Sequence, residues 1–290
     1  MELPLLLLVL LARAVAGSLR WRERGGAARI VLDMAPNSFD DRYLRCHFRM
    51  LRALPALNRS EFEPYGDYAE AWGRAAALRG SWAPADPPLP PAQAVALTAY
   101  TMEEGLYLEF NRAVRGAGRS RRQYLRAFPF KVLHFLLTAA VAELRAARAR
   151  PRCLRVFRGA DARFAAAPGR LVRFGQFASA TLLKSVSDSY GTATTFEVDT
   201  CHGADIRNFS NYPEEEEVLI PPFETFEVVN VTHRGNGTDI RLRSHGVHST
   251  YNCAWFREAS PESPQASLDS SWQPWQLSLA PPEPGGHRAW

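Results

Sequence analysis

Two textures of hydrophobic and polar positions divide this chain. From about residue 37 to 150 the apolar residues recur at helical spacing. Ser38 followed by Asp41 has the form of a capping box and predicts a helix running through Leu54. A second, alanine-rich helical run spans Ser60 to Arg79. Ala83 to Pro91 (APADPPLPP) is predicted to be a loop, because proline breaks helix interiors. Leu106 to Val114 predicts a short helix stopped by Gly116 and Gly118. Phe130 to Ala149 is the strongest helix, dominated by apolar residues and ending in arginines that suit a helix C-terminus.

From Cys153 the segments shorten and fill with Val, Phe, Thr and Ile, separated by turn residues. Strands are expected at Leu154–Gly159, Leu171–Phe177, Thr194–Thr200, Glu216–Ile220, Thr225–Thr232, Asp239–Arg243 and Thr250–Phe256. Helices followed by strands argue an α+β fold rather than a doubly wound sheet.

Composition narrows the function classes. The chain has 290 residues, of which 46% are hydrophobic and 22% charged, so disorder throughout is excluded. The net charge is +5, but only Lys131 and Lys184 among the 35 basic residues are lysines. The arginines are spread along the whole chain, which argues against a nucleic-acid surface. Cys46, Cys153, Cys201 and Cys253 form no CxxC, so the common zinc-finger and thioredoxin patterns are absent. There is no GxxxxGK(S/T), no GxGxxG after a strand, no HExxH and no GxSxG. His245 and His248 fall in a turn and a strand, where a spacing of three does not converge on a metal; no metal site is expected.

Residues 1–17 read as a secretory signal, with an apolar core from Leu5 to Leu11 and Ala14-Val15-Ala16 as the cleavage tripeptide. Sequons at Asn58, Asn208, Asn230 and Asn236 agree with that route. An oxidising compartment lets four cysteines pair as two disulfides, in any of three connectivities. No later stretch reaches the ~18–20 apolar residues of a membrane span. Residues 259–290, rich in Pro, Ser and Gln, lack a GPI-signal tail and are expected to be a flexible tail on a secreted protein.

Three elements of the strand-rich half carry chemistry. Arg158 lies in the apolar strand Val156-Phe157-Arg158-Gly159 and needs an anionic partner, either an internal carboxylate or a phosphate held bidentately. Ser179 and Thr181 place two hydroxyls on one face of a strand. Glu214 to Glu217 runs directly into Val-Leu-Ile, so Glu215 and Glu217 are expected on one strand face and Glu216 on the other. Carboxylates so close are costly without a purpose. A phosphate clamp, a hydroxyl and paired carboxylates suit substitution at a glycosidic carbon whose leaving group is already cationic and departs neutral. One carboxylate then stabilises an oxocarbenium-like ribose and the other activates the acceptor, a parallel to glycosidase logic.

With these residues in place, the chain resembles the vertebrate arginine-specific mono-ADP-ribosyltransferases of the ecto-enzyme family. Their R-S-ExE motif matches as Arg158, Ser179 and Glu215-Glu216-Glu217. SFDDRY (38–43), FNRAVR (110–115), FPFKVLHFLL (128–137), EEEVLIPPFETFEV (215–228) and HSTYNCAWF (248–256) match in order. The resemblance implies a helical N-terminal lobe and a mixed, mostly antiparallel sheet core cradling NAD, in a catalytic domain spanning 18–258. It implies transfer of ADP-ribose from NAD, a co-substrate, to arginines of extracellular or surface proteins, with no metal. Glu217 is then the catalytic glutamate at the nicotinamide ribose, and Glu215 orients the acceptor guanidinium. Arg158 holds NAD phosphates with Gly159 near the nicotinamide, and Ser179 supports Glu217 and the ribose. Tyr100, Gln176 and Ser210 line the NAD site, and Phe196 is either a stacking partner or a core aromatic. The family's pairing gives Cys46–Cys253 and Cys153–Cys201. Threonine at 181 replaces the motif's second serine, which predicts tuned rather than abolished activity. A glycan on Asn208 either crowds the cleft or points away. Two other readings stay open: an NAD glycohydrolase, and a secreted binding protein on a degenerate transferase scaffold. The arginine content makes self-modification a further expectation.

Overall fold

The computed structural model describes residues 29–256 apart from 63–65, 83–87, 103–104 and 149–152. The predicted signal and tail lie outside the described residues. Helices α1 (His47–Phe62), α2 (Gly66–Gly80), α3 (Pro91–Thr101), α4 (Leu106–Ala117), α5 (Arg121–Ala127) and α6 (Lys131–Ala146) form the N-terminal lobe. α6 is buried along most of its length. Its first amides, Lys131 N and Val132 N, donate to the two carboxylate oxygens of Glu61 at 2.8 and 3.1 Å, so the end of α1 caps α6. Burial pushes the Glu61 carboxyl up to about 7, opposed by the neighbouring Lys131.

The strands are β1 (Ile30–Val31), β2 (Leu154–Ala160), β3 (Phe164–Ala165), β4 (Leu171–Val172), β5 (Ala178–Thr181), β6 (Thr194–Thr200), β7 (Ala204–Asp205), β8 (Glu217–Ile220), β9 (Glu224–Arg234) and β10 (Gly237–Val247), with the short helix α7 (Lys184–Ser189) between β5 and β6. β1 pairs with β3; the other eight form one sheet in the order β4-β9-β10-β6-β2-β5-β8-β7. Every neighbouring pair in that sheet is antiparallel except β10 with β6. This is the expected α+β fold with a mixed, mostly antiparallel sheet. One apolar core fills the helical lobe and reaches the sheet through Phe177, Phe209 and Leu219. A second, containing Val156, Phe196, Val218 and Leu242, lies within the strand-rich half.

Several expectations change. No helix starts at Ser38: α1 begins at His47 and continues through Pro55. The SFDDRY side chains are committed to distant partners instead. Ser38 Oγ donates to Gly175 O at 2.7 Å. Asp40 forms a fully buried ion pair with Arg173 at 2.7 Å and accepts the amides of Thr250 and Tyr251. Asp41 accepts the amides of Tyr43, Cys253 and Ala254. The Arg173 guanidinium also donates to the carbonyls of Met34, Ala35 and His248. The predicted strand Thr250–Phe256 is a series of bends and turns for the same reason: carboxylates hold its amides. The predicted strand Leu171–Phe177 keeps only two residues, because the chain turns through Gly175 at φ +67°.

Cys46 pairs with Cys253, 207 residues away, and Cys153 with Cys201. Among the sequons, Asn208, Asn230 and Asn236 are exposed, whereas Asn58 is only 7% exposed on α1. Among the described residues no single helix is long and apolar enough to cross a membrane; α5 and α6 reach that length only as a pair bent by 111°.

Candidate active site

β2, β5 and β8 are adjacent in the sheet. They bring together Arg158, Ser179 and Glu217, which lie far apart in sequence. An Arg158 guanidinium N–H donates to Ser179 O at 2.7 Å, so the arginine spans from β2 to β5. Glu217 is the first residue of β8 and is 2% exposed. Ser210 Oγ donates to Glu217 Oε2 at 3.1 Å and accepts the Tyr212 amide at 3.2 Å. Ser210 therefore sits behind Glu217 and fixes its carboxylate.

Glu215 does not reach the site along a strand. Pro213–Glu215 is a single 3-10 turn, and Glu216 has φ +46°, a left-handed conformation uncommon outside glycine. That turn re-aims the chain between the two carboxylates, so Glu215 and Glu217 line one narrow recess with Arg158, Gly159, Ser179 and Tyr190. The strand alternation expected for residues 215–217 is thus replaced by a turn with the same outcome for 215 and 217. Glu216 is drawn off by Arg207, 3.1 Å away, which also pairs with Asp205. Thr181 Oγ1 donates to Glu215 O at 2.6 Å and accepts the Leu183 amide at 2.9 Å. The threonine hydroxyl thereby anchors the turn.

Arg158 and Gly159 also line a wider cleft of about 500 Å³. Its walls include Arg115, Phe174 and Gln176, and the β1 strand forms part of its rim. Arg115 donates to the Gln176 side-chain oxygen, which orients that amide at the wall. Tyr100 is buried behind the site: its hydroxyl donates to Phe177 O at 3.1 Å and accepts from Asn111 Nδ2 at 3.0 Å. Burial raises the Tyr100 pKa, so the hydroxyl stays a donor. Phe196 is fully buried, edge-on to Phe164 and Phe174 at 5.2 and 5.7 Å. It lines the cleft together with the half-buried Phe164 and Phe174, the two rings it packs against.

Sequence reasoning missed Phe174, Tyr190 and Asn111. Asn111 lies inside the quoted FNRAVR stretch, so a signal was present for it; Phe174 flanks Gln176; Tyr190 had none. Asn208 is exposed beside Arg148 and Asp205, on a different pocket from the cleft. Among the described residues no three His, Cys, Asp or Glu side chains are grouped to hold a metal ion.

Residues 32–250 match the model of the NAD:arginine ADP-ribosyltransferase family. The chain is 45% identical over 267 residues to the erythroblast NAD(P)(+)--arginine ADP-ribosyltransferase of Gallus gallus, covering 89% of this chain and 88% of that protein. It is 47% identical over 253 residues to the GPI-linked NAD(P)(+)--arginine ADP-ribosyltransferase 1 of Mus musculus, covering 83% and 78%. Its fold is similar to a crystal structure of a mutant of the eukaryotic mono-ADP-ribosyltransferase ART2.2 in complex with NADH, at TM-score 0.65 and 33% identity, covering 77% of this chain and 98% of that one. With a matching family model over most of its length and relatives of this similarity, the chain belongs to the NAD:arginine ADP-ribosyltransferase family.

Proposed function

We propose that this chain transfers ADP-ribose from NAD to arginine side chains of proteins, releasing nicotinamide, at the junction of the wide cleft and the carboxylate recess. The observation that carries this reading is that Glu215 and Glu217 share one recess whose mouth is Arg158 and Gly159. NAD fits the cleft by size, by the cations Arg115 and Arg158 for its phosphates, and by the Phe174 ring. Gln176 and the buried Tyr100 shape that wall. Glu217, braced by Ser210, faces the positive charge that develops on the ribose as the bond to nicotinamide breaks. The electron pair leaves on nicotinamide, which departs neutral and needs no acid. Glu215 orients the acceptor guanidinium and accepts the proton lost when its nitrogen bonds to the ribose carbon.

The catalytic domain is 18–258, preceded by a signal and followed by the tail 259–290. Acceptors are extracellular or surface proteins, reached by a secreted enzyme. Glycans belong on Asn208, Asn230 and Asn236, whereas buried Asn58 has no room for one. Self-modification is read out in the same assay as transfer.

That assay incubates wild type and two variants with labelled NAD and a guanidino acceptor, following nicotinamide release and adduct mass. Glu217→Gln is expected to lose transfer and hydrolysis by about 10²-fold or more while still folding. Glu215→Gln is expected to lose transfer preferentially. Nicotinamide release by wild type that acceptor never diverts into adduct supports the glycohydrolase instead, and NAD binding without either product supports the degenerate scaffold.

A further inference from the structure

We propose that Tyr190 is the positioning residue that fixes the direction of Glu215 and so sets the partition of NAD between arginine transfer and hydrolysis. The inference rests on Glu215 as the group that orients the acceptor.

Glu215 is held at both ends. Its carbonyl accepts from Thr181 Oγ1 on β5. Its carboxylate Oε1 accepts from the hydroxyl of Tyr190, which also lines the recess. Tyr190 is 9% exposed and caps the C-terminal end of α7, its amide donating to Ser187 O at 3.2 Å.

The placement of that ring is built into β2. A Cβ on Gly159 would lie 2.0 Å from Ser187 O and 2.5 Å from Gly191 O. Only glycine at 159 lets the α7 C-terminus close onto the strand, and that closure carries Tyr190 over the recess. Gly191, at φ +132°, packs as tightly on Ala160 and Asp161 from the other side of Tyr190. The tyrosine is therefore fixed on both flanks, unlike a hydroxyl on a free loop.

A phenol donating to a carboxylate forms a charge-assisted bond of defined direction. It holds Oε1 in place, so the acceptor guanidinium meets a carboxylate of set direction. Without it the carboxylate, at the end of a 3-10 turn, loses that directed bond. Water, which needs no fixed orientation, is affected less than arginine. Tyr190 lines the recess but not the wide cleft whose arginines are assigned to the NAD phosphates.

The test is the ratio of adduct to free ADP-ribose, with separate kcat and KM values for acceptor and NAD. Four proteins are compared: wild type, Tyr190→Phe, Glu215→Gln and the double variant. Tyr190→Phe removes one oxygen and keeps the ring packing. It is expected to lower the transfer-to-hydrolysis ratio roughly tenfold, the size of a lost bond to a charged group, with KM for NAD unchanged. In the Glu215→Gln background the same substitution should shift the ratio less than about twofold, as required if it acts through that carboxylate. If Glu215→Gln lowers the ratio and Tyr190→Phe does not, the role of Tyr190 is overturned while the acceptor reading stands. An equal fall in transfer and hydrolysis in Tyr190→Phe, or an undiminished effect in the double variant, also overturns it. If Glu215→Gln leaves the ratio unchanged, the acceptor reading itself fails.

Discussion

Replacing Asp40 by alanine removes the anion from a fully buried ion pair and strands the Arg173 guanidinium among carbonyls. The Asp40–Arg173 contact is 2.7 Å long, with side chains 0% and 1% exposed. Breaking one partner of such a pair costs about 3–5 kcal/mol, because the remaining charge is buried without compensation. The amides of Thr250 and Tyr251 lose their acceptor as well, but they lie near the surface and regain water. In a domain of this size each kcal/mol is worth roughly 2–4 °C, so Asp40→Ala should lower Tm by about 10 °C. Thermal unfolding followed by circular dichroism, with the disulfides intact, measures it. The double variant Asp40→Leu/Arg173→Met should recover most of the loss, since apolar replacement of a buried pair is often neutral. A fall of less than about 3 °C in Asp40→Ala, or no recovery in the double variant, refutes the assignment of this pair as the clasp between the first loop and the sheet.

Two further outcomes are expected. Glu61 is raised to about 7, so its contribution to stability grows as pH falls from 7 toward 4.5; burial lowers His134 to about 3, so its contribution is lost as pH falls from 6.5 toward 3. The two oppose between pH 4.5 and 6.5, and Glu61→Gln should make Tm fall more steeply with acidification than in wild type; parallel Tm curves would count against it. Gly159→Ala forces α7 off β2 and should cost roughly 1–3 kcal/mol together with most nicotinamide release, and full activity in that variant would show that α7 need not sit there.

Local patterns in the sequence located some elements well. β6 falls on Thr194–Thr200 as predicted, because its side chains alternate buried and half-buried along all seven residues. α3 was hidden: eight of its eleven residues are buried, so it lacks an amphipathic stripe, and its first residue Pro91 ends a proline-rich run that reads as loop. α5, with the polar sequence RRQYLRA, depends on Ser120 accepting the Gln123 amide and shows no apolar period. Ser38 and Asp41 carried a capping signature, yet each is spent on a partner over a hundred residues away. The identities of Arg158, Ser179, Glu215 and Glu217 were visible in the motif, but the turn at Glu216 and the approach of Tyr190 arise from backbone placement. No short-range rule encodes either.

The clasp has a consequence for the order of biosynthesis. Asp40, Asp41 and Cys46 are made about 200 residues before their partners at 250–254. At about 5–20 residues per second, a separation of 207 residues leaves Cys46 an unpaired thiol for roughly 10–40 s of synthesis. Throughout the later part of that interval Cys153 and Cys201 are already available. The β2–β6 ladder lays the two ends of their 48-residue loop side by side, which favours Cys153–Cys201 pairing over the pairing of either with Cys46.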